Sequence, residues 1–283
     1  MNLMSGADHL GAEATRNQST VVFGFEDFWP KVYSEYKSRF DAIGALIRLG
    51  NEMIGTAEAS SSAPVQNVIC ALARGTVSGA SEAIVLCGNG CGAGAMKVVR
   101  GMFESRWIAE YLRRNPNDVQ DYLDFSKVLL WRRICWLQKS NLNQASRISP
   151  NQLKNAENDF NQVKTRFTDK KGRLRVTWSK KNIREMAEEI GQKDAYDLPY
   201  AIACSIHHAN FEGLLSNFAL DDETLTPDPP PSKAWVARSL TAAWASLWFA
   251  LNTLNEACGL QYKEHLNAAQ QSLSSAASAH PTC

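Results

Sequence analysis

Net charge is almost absent from this 283-residue chain: thirty Lys and Arg stand against twenty-nine Asp and Glu, a formal +1. That balance excludes a dedicated polyanion-binding tail and a solvating acidic chain. The opening Met1-Asn2-Leu3-Met4-Ser5-Gly6-Ala7-Asp8-His9 lacks a basic region followed by an apolar run, so no secretory leader is expected. The seven cysteines, at positions 70, 87, 91, 135, 204, 258 and 283, are odd in number and irregularly spaced. No disulfide framework is expected from them, and reduced thiols fit a cytoplasmic protein. Cys87 and Cys91 are the one close pair, and a structural zinc needs two such pairs. No metal and no other cofactor is expected. The uncharged stretch Ser239–Asn255 is shorter than the roughly twenty apolar residues of a membrane span. Ser239, Thr241, Ser246, Asn252 and Thr253 interrupt it, so it reads as a buried core helix and no membrane partner is expected.

Catalytic signatures are equally scarce. Gly88-Asn-Gly-Cys-Gly-Ala-Gly94 is glycine-rich, but no strand precedes it and no Lys-Ser/Thr follows, so it is not a phosphate loop. A nucleophile elbow, a paired-His zinc helix and a kinase motif set are all missing. So is the two-residue alternation of strands, with Leu174–Trp178 the one short candidate.

Present instead are 45% apolar and 21% charged residues, the ordinary globular range, and eight tryptophans. Phe28, Val32, Tyr36, Phe40, Ile43 and Ile47 recur at helical spacing. A helix rich in small residues runs from Ser62-Ala63-Pro64 to Leu86, which suits a central position. Others are expected over about Ala93–Arg114, from Asn115-Pro116 to Lys139, from Ser149-Pro150 to Thr168, over Lys181–Ile190, from Asp194 to about His208, and over Lys233–Cys258. About eight helices with short connections predict an all-α bundle with one core and no significant sheet. Residues 1–24 read as a flexible arm, 25–260 as the helical domain and 261–283 as a low-complexity tail.

Charge is uneven along the chain. Lys154–Arg184 holds ten basic against three acidic residues, and Glu188–Asp228 nine acidic against one Lys. A surface including Lys170, Lys171, Arg173 and Arg175 would suit a nucleotide or RNA. The plainer account is a solvated segment whose charges pair within the molecule.

Two helical stripes could hold a site. Arg100, Glu104, Trp107 and Tyr111 share one face at 100° per residue. An Arg and a Glu among aromatics must find partners if half-buried, either each other or an anion clamped by Arg100. Tyr196, Tyr200, Cys204 and His208 recur every four residues, with His207 beside them, a polar lining of the kind clefts use. A lone His is more often satisfied by a backbone carbonyl than functional. An acid–base His and a clamping Arg are nonetheless the minimum for metal-free phosphodiester transesterification.

The run Ala95-Met-Lys-Val-Val-Arg100-Gly-Met-Phe-Glu104-Ser, then Tyr111-Leu112, Trp178, Ile183–Gly191 and Tyr196–His208, resembles the bacterial domain-of-unknown-function family 5677. The similarity spans about Asn67–Phe218. It implies an all-helical fold and a shared polar set of Arg100, Glu104 and His208, and it implies no activity. Cys204 stands where such proteins usually carry a Ser, with Ser205 adjacent. The chain is also similar in general look to helical ribonuclease domains of prokaryotic conflict systems, but it lacks their closely spaced Arg and His on one helix. Three readings follow. The first is a ligand-, nucleotide- or partner-binding helical protein with its cleft between the stripes. The second is a ribonuclease-like enzyme using His208 and Arg100. The third is a scaffold or homo-oligomer whose stripes are internal hydrogen-bond networks.

Overall fold

The computed structural model describes residues 25, 27–140, 148–221, 224–228 and 230–279. The expected arm (1–24) and Cys283 lie outside them. Helix makes up 78% of the structure, which establishes the all-α class.

Eleven α-helices of four or more residues stand among the described residues, three more than expected. They are α1 Trp29–Glu35, α2 Lys37–Ser60, α3 Pro64–Gly88, α4 Gly92–Arg114, α5 Val119–Lys139, α6 Pro150–Val163, α7 Ile183–Glu189, α8 Ala201–His208, α9 Phe211–Leu214, α10 Val236–Cys258 and α11 Lys263–Ala279. The extra three have separate causes. The first expected helix is broken at Tyr36, whose backbone (φ −110°, ψ 23°) leaves the helical region. After α8, Ala209 turns left-handed (φ 49°) and the Asn210 side chain caps a new helix at Gly213 N. Inside the stretch expected as a tail, Leu266 is fully buried and its carbonyl accepts from Trp248 Nε1 at 2.9 Å, which docks α11 onto α10.

The strand candidate Leu174–Trp178 makes only an isolated bridge from Leu174 to Thr168. A two-stranded antiparallel hairpin forms instead from β1 Phe218–Asp221 and β2 Thr224–Pro227, with Phe218 opposite Pro227.

α3 lies at the centre, packed against α2, α4 and α10. Its small residues permit this. A Cβ on Gly79 would come within 2.8 Å of Met102 Cγ, so α4 approaches closer than any larger residue would allow. α3 is long and apolar enough to cross a membrane by length and composition, and half of that stretch is buried inside the protein. The main core includes the fully buried Ile43, Met53, Ile69, Trp107 and Leu247. A second, smaller core forms where α5 and α6 meet, from Phe125, Val128, Val163 and Phe167, with Trp178 packed against both. The expectation of one core therefore holds for the bundle but misses this satellite.

Before α8 the chain makes one helical turn at Lys193–Ala195 and a π-turn at Tyr196–Tyr200 that contains Pro199. Proline has no N–H for the ordinary ladder, and a wider turn absorbs the fault. This irregular segment faces α4 and α10.

Candidate functional site

The two sequence stripes meet. Arg100 Nε donates to Cys204 Sγ at 3.3 Å, and the Tyr200 hydroxyl donates to Glu104 Oε1 at 2.6 Å. Residue numbers rise on α4 as they fall on α8, so the helices run antiparallel. Along α4 itself, Arg100 Nη2 pairs with the same Glu104 oxygen at 2.7 Å. The Arg100 guanidinium also lies 5.7 Å from the Tyr200 ring. Trp107, one turn on, packs edge-on against Tyr200 at 5.0 Å and tilted against Tyr196 at 5.9 Å. Burial works against the Arg100 charge, but Cys204 and Glu104 outweigh it and hold the guanidinium above the usual arginine range. Burial also pushes the Tyr200 phenol up, and its hydrogen bonds with Glu104 and Cys204 push it further.

His207 and His208 do not join this ladder. Both are exposed at the end of α8, their rings edge to face at 5.0 Å. Among the described residues neither makes a hydrogen bond to Arg100 or Glu104. Tyr111 points elsewhere too: its hydroxyl donates to Asp118 at 2.7 Å, and its ring meets Trp178 and the Lys181 ammonium.

The basic segment is largely paired within the molecule. Arg166 bridges Asp121 and Asp124 of α5, Arg173 pairs with Asp169, Lys181 with Glu189 and Arg184 with Glu188. The Arg175 side chain donates to the Arg166 carbonyl. Lys170 and Lys171 are exposed and make no ion pair among the described residues. The Cys87 and Cys91 thiols each face a backbone carbonyl, of Val236 and Asn89. No cluster of three metal-ligating side chains stands among the described residues.

A cavity of about 540 Å³ opens beside the ladder, within the ordinary size range of small-molecule sites. Met96, Phe103 and Arg106 of α4 form one wall, Pro199 and Ile202 a second, and Thr241, Ala242 and Ala245 of α10 a third. Leu198 and Arg238, both exposed, stand at its rim. Arg106 is 4% exposed, and its Nε has no hydrogen-bond partner. Its Nη2 reaches Gln192 Oε1 at 3.4 Å. Phe103, Trp107 and Phe249 surround the guanidinium at 4.6, 5.6 and 5.0 Å from their ring centres. Burial pushes it down to about 9, so it is still a cation at neutral pH.

The sequence stripes missed Arg106. A signal existed: Val99, Met102, Phe103 and Arg106 keep the three- and four-residue spacing of a buried face. Glu110 stands four residues on, at the spacing of an intrahelical pair, but does not pair with Arg106. Glu110 is instead buried and saturated by Arg113, Arg114 and Thr253.

No curated protein and no solved structure matches the chain. The model of the Family of unknown function (DUF5677) matches residues 66–225, enclosing the 67–218 stretch that carried the resemblance. With more than half its length in that match and a helical fold to accompany it, the chain belongs to this family.

Proposed function

We propose that this protein binds a small molecule in the cavity between α4, the π-turn segment and α10. The observation that carries the reading is the cavity itself, a largely apolar cleft of about 540 Å³ with few polar groups on its walls. It stands beside the interface of the two stripes. At the level of Arg100 and Glu104 that interface is filled by direct side-chain contacts, which suits an internal network joining α4 to α8.

The test is a fluorescence titration with N-phenyl-1-naphthylamine, a neutral apolar dye. The wild-type protein should bind it saturably. Ala242→Phe, which puts a ring into the cleft, should weaken binding at least about tenfold while the melting temperature stays within a few degrees. Saturable binding that ignores Ala242→Phe contradicts the site.

The ribonuclease alternative needs Arg100 released from Glu104 and Cys204 to take a phosphate. RNA cleavage at background by both wild type and His208→Ala would remove it.

A further inference from the structure

We infer that the cavity is built for an amphipathic monoanion, an apolar body ending in a carboxylate or an equivalent oxyanion, whose head group is taken by Arg106. This rests on the cavity's being a ligand site, and it adds the chemical class of the ligand.

Among the described residues the charge of Arg106 lacks a counter-charge. Arg106 is 4% exposed, yet no carboxylate stands within ion-pair distance of it among the described residues. Its one hydrogen bond among them, to Gln192 Oε1, is long at 3.4 Å, and its Nε has no partner. Arginine does not shed its proton to escape burial at neutral pH. The two buried carboxylates are treated differently. Glu110 accepts from Arg113, Arg114 and Thr253, and Asp124 from Gln120, Lys127 and Arg166. An isolated buried cation is expensive unless a counter-charge arrives.

The surroundings define what that counter-charge is attached to. Aromatic rings pack around the guanidinium and its Nε has no partner, which leaves a planar, incompletely paired donor group beside the cavity for an oxyanion. Beyond it the walls are Met96, Ile202, Ala242 and Ala245, which suit hydrocarbon or an aromatic ring and offer no hydrogen bonds from their side chains. One buried cation matches one negative charge. Arg238, the other cation near the site, is exposed and sits over the Trp235 ring at 5.1 Å. A polyphosphate would leave most of its charge against apolar walls.

Two dyes of one skeleton test this. 8-Anilinonaphthalene-1-sulfonate carries a single anionic group, and N-phenyl-1-naphthylamine carries none. Wild type should bind the sulfonate at least about tenfold more tightly. Arg106→Met and Arg106→Gln should bring the sulfonate down to the level of the neutral dye, and leave the neutral dye within about threefold. Ala242→Phe should weaken both, which separates the cleft from exposed apolar surface. Equal affinities in wild type, or sulfonate binding indifferent to both Arg106 variants, overturn the assignment while the ligand cavity stands. If neither dye responds to Ala242→Phe, the cavity reading itself fails. Loss of the fold in both Arg106 variants also overturns the assignment, because a cation kept for a ligand is dispensable for folding.

Discussion

Arg106 reaches Gln192 at 3.4 Å and makes no other hydrogen bond among the described residues, while Arg100 on the same helix is fully engaged by Glu104 and Cys204. Six residues separate them, which turns Arg106 about 120° around α4 from Arg100. One arginine closes a helix interface. The other opens onto a cavity. Function is assigned to the second because it is buried and no carboxylate among the described residues pairs with it.

Arg106→Met should therefore stabilise the empty protein. Replacing an uncompensated buried charge by an apolar side chain of similar length is often neutral or favourable by about 1–4 kcal/mol. In a chain of this size that corresponds to a rise of roughly 2 °C or more in melting temperature. A fall of more than about 4 °C in calorimetry would show that the contacts with Phe103, Trp107 and Phe249 hold the fold.

Tyr200→Phe deletes the hydroxyl that Glu104 accepts and should cost about 1–2 kcal/mol in urea unfolding. Glu104→Gln should cost a similar amount by weakening the hold on Arg100. Because both act on one carboxylate oxygen, the double variant should lose clearly less than the sum. Simple additivity would mean that the ladder is not a unit.

Most helices were legible in the sequence because periodicity and punctuation agreed. Gly88-Asn89-Gly90, Asn115-Pro116, Gly191 and Gly259 stop helices where expected, the last with a left-handed φ of 63°. α11 was not legible: its Ser- and Ala-rich composition looks like a tail, and much of its docking depends on the buried Leu266. The hairpin escaped because Thr224–Pro227 is short and adjoins a proline cluster, with no room for a visible alternation. Four-residue spacing revealed both polar stripes but not their register, which leaves the two histidines outside the ladder. Arg106 was hidden by chemistry, since an arginine on a core face violates the pattern used to find core faces.

Asp124 should govern part of the acid response. Burial alone would raise its carboxyl, but hydrogen bonds from Lys127, Gln120 and Arg166 outweigh that and hold it at about 2, below the ordinary value of 3.8. A depressed carboxyl contributes stability that is complete above the unfolded value and lost as pH falls through the folded one. The contribution, roughly 2 kcal/mol, should disappear between about pH 4 and pH 2. Asp124→Asn should destabilise at pH 7 and flatten the stability profile across that window. An unchanged profile would contradict the role of the ion cluster that Asp124 forms with Lys127 and Arg166.

Gly92→Ala and Gly101→Ala should act in opposite directions although both lie on α4. A Cβ on Gly92 would stand 2.3 Å from the Ala234 carbonyl oxygen and 2.6 Å from Val236 N, and backbone cannot move aside cheaply. It would also press on Trp235, which already holds a left-handed φ of 66°. Loss of several kcal/mol or of soluble expression is expected. Gly101 has nothing within 4 Å of such a Cβ, so alanine there should add up to about 1 kcal/mol by helix propensity. Equal melting temperatures for the two variants would contradict the packing of α4 against the start of α10.

The most direct measurement is a crystal structure grown with 8-anilinonaphthalene-1-sulfonate. The sulfonate oxygens should stand within about 3 Å of the Arg106 guanidinium and the rings between Ile202 and Ala242. A dye seated only on exposed apolar side chains such as Phe211 or Leu225, with the cleft beside Arg106 empty, would contradict it.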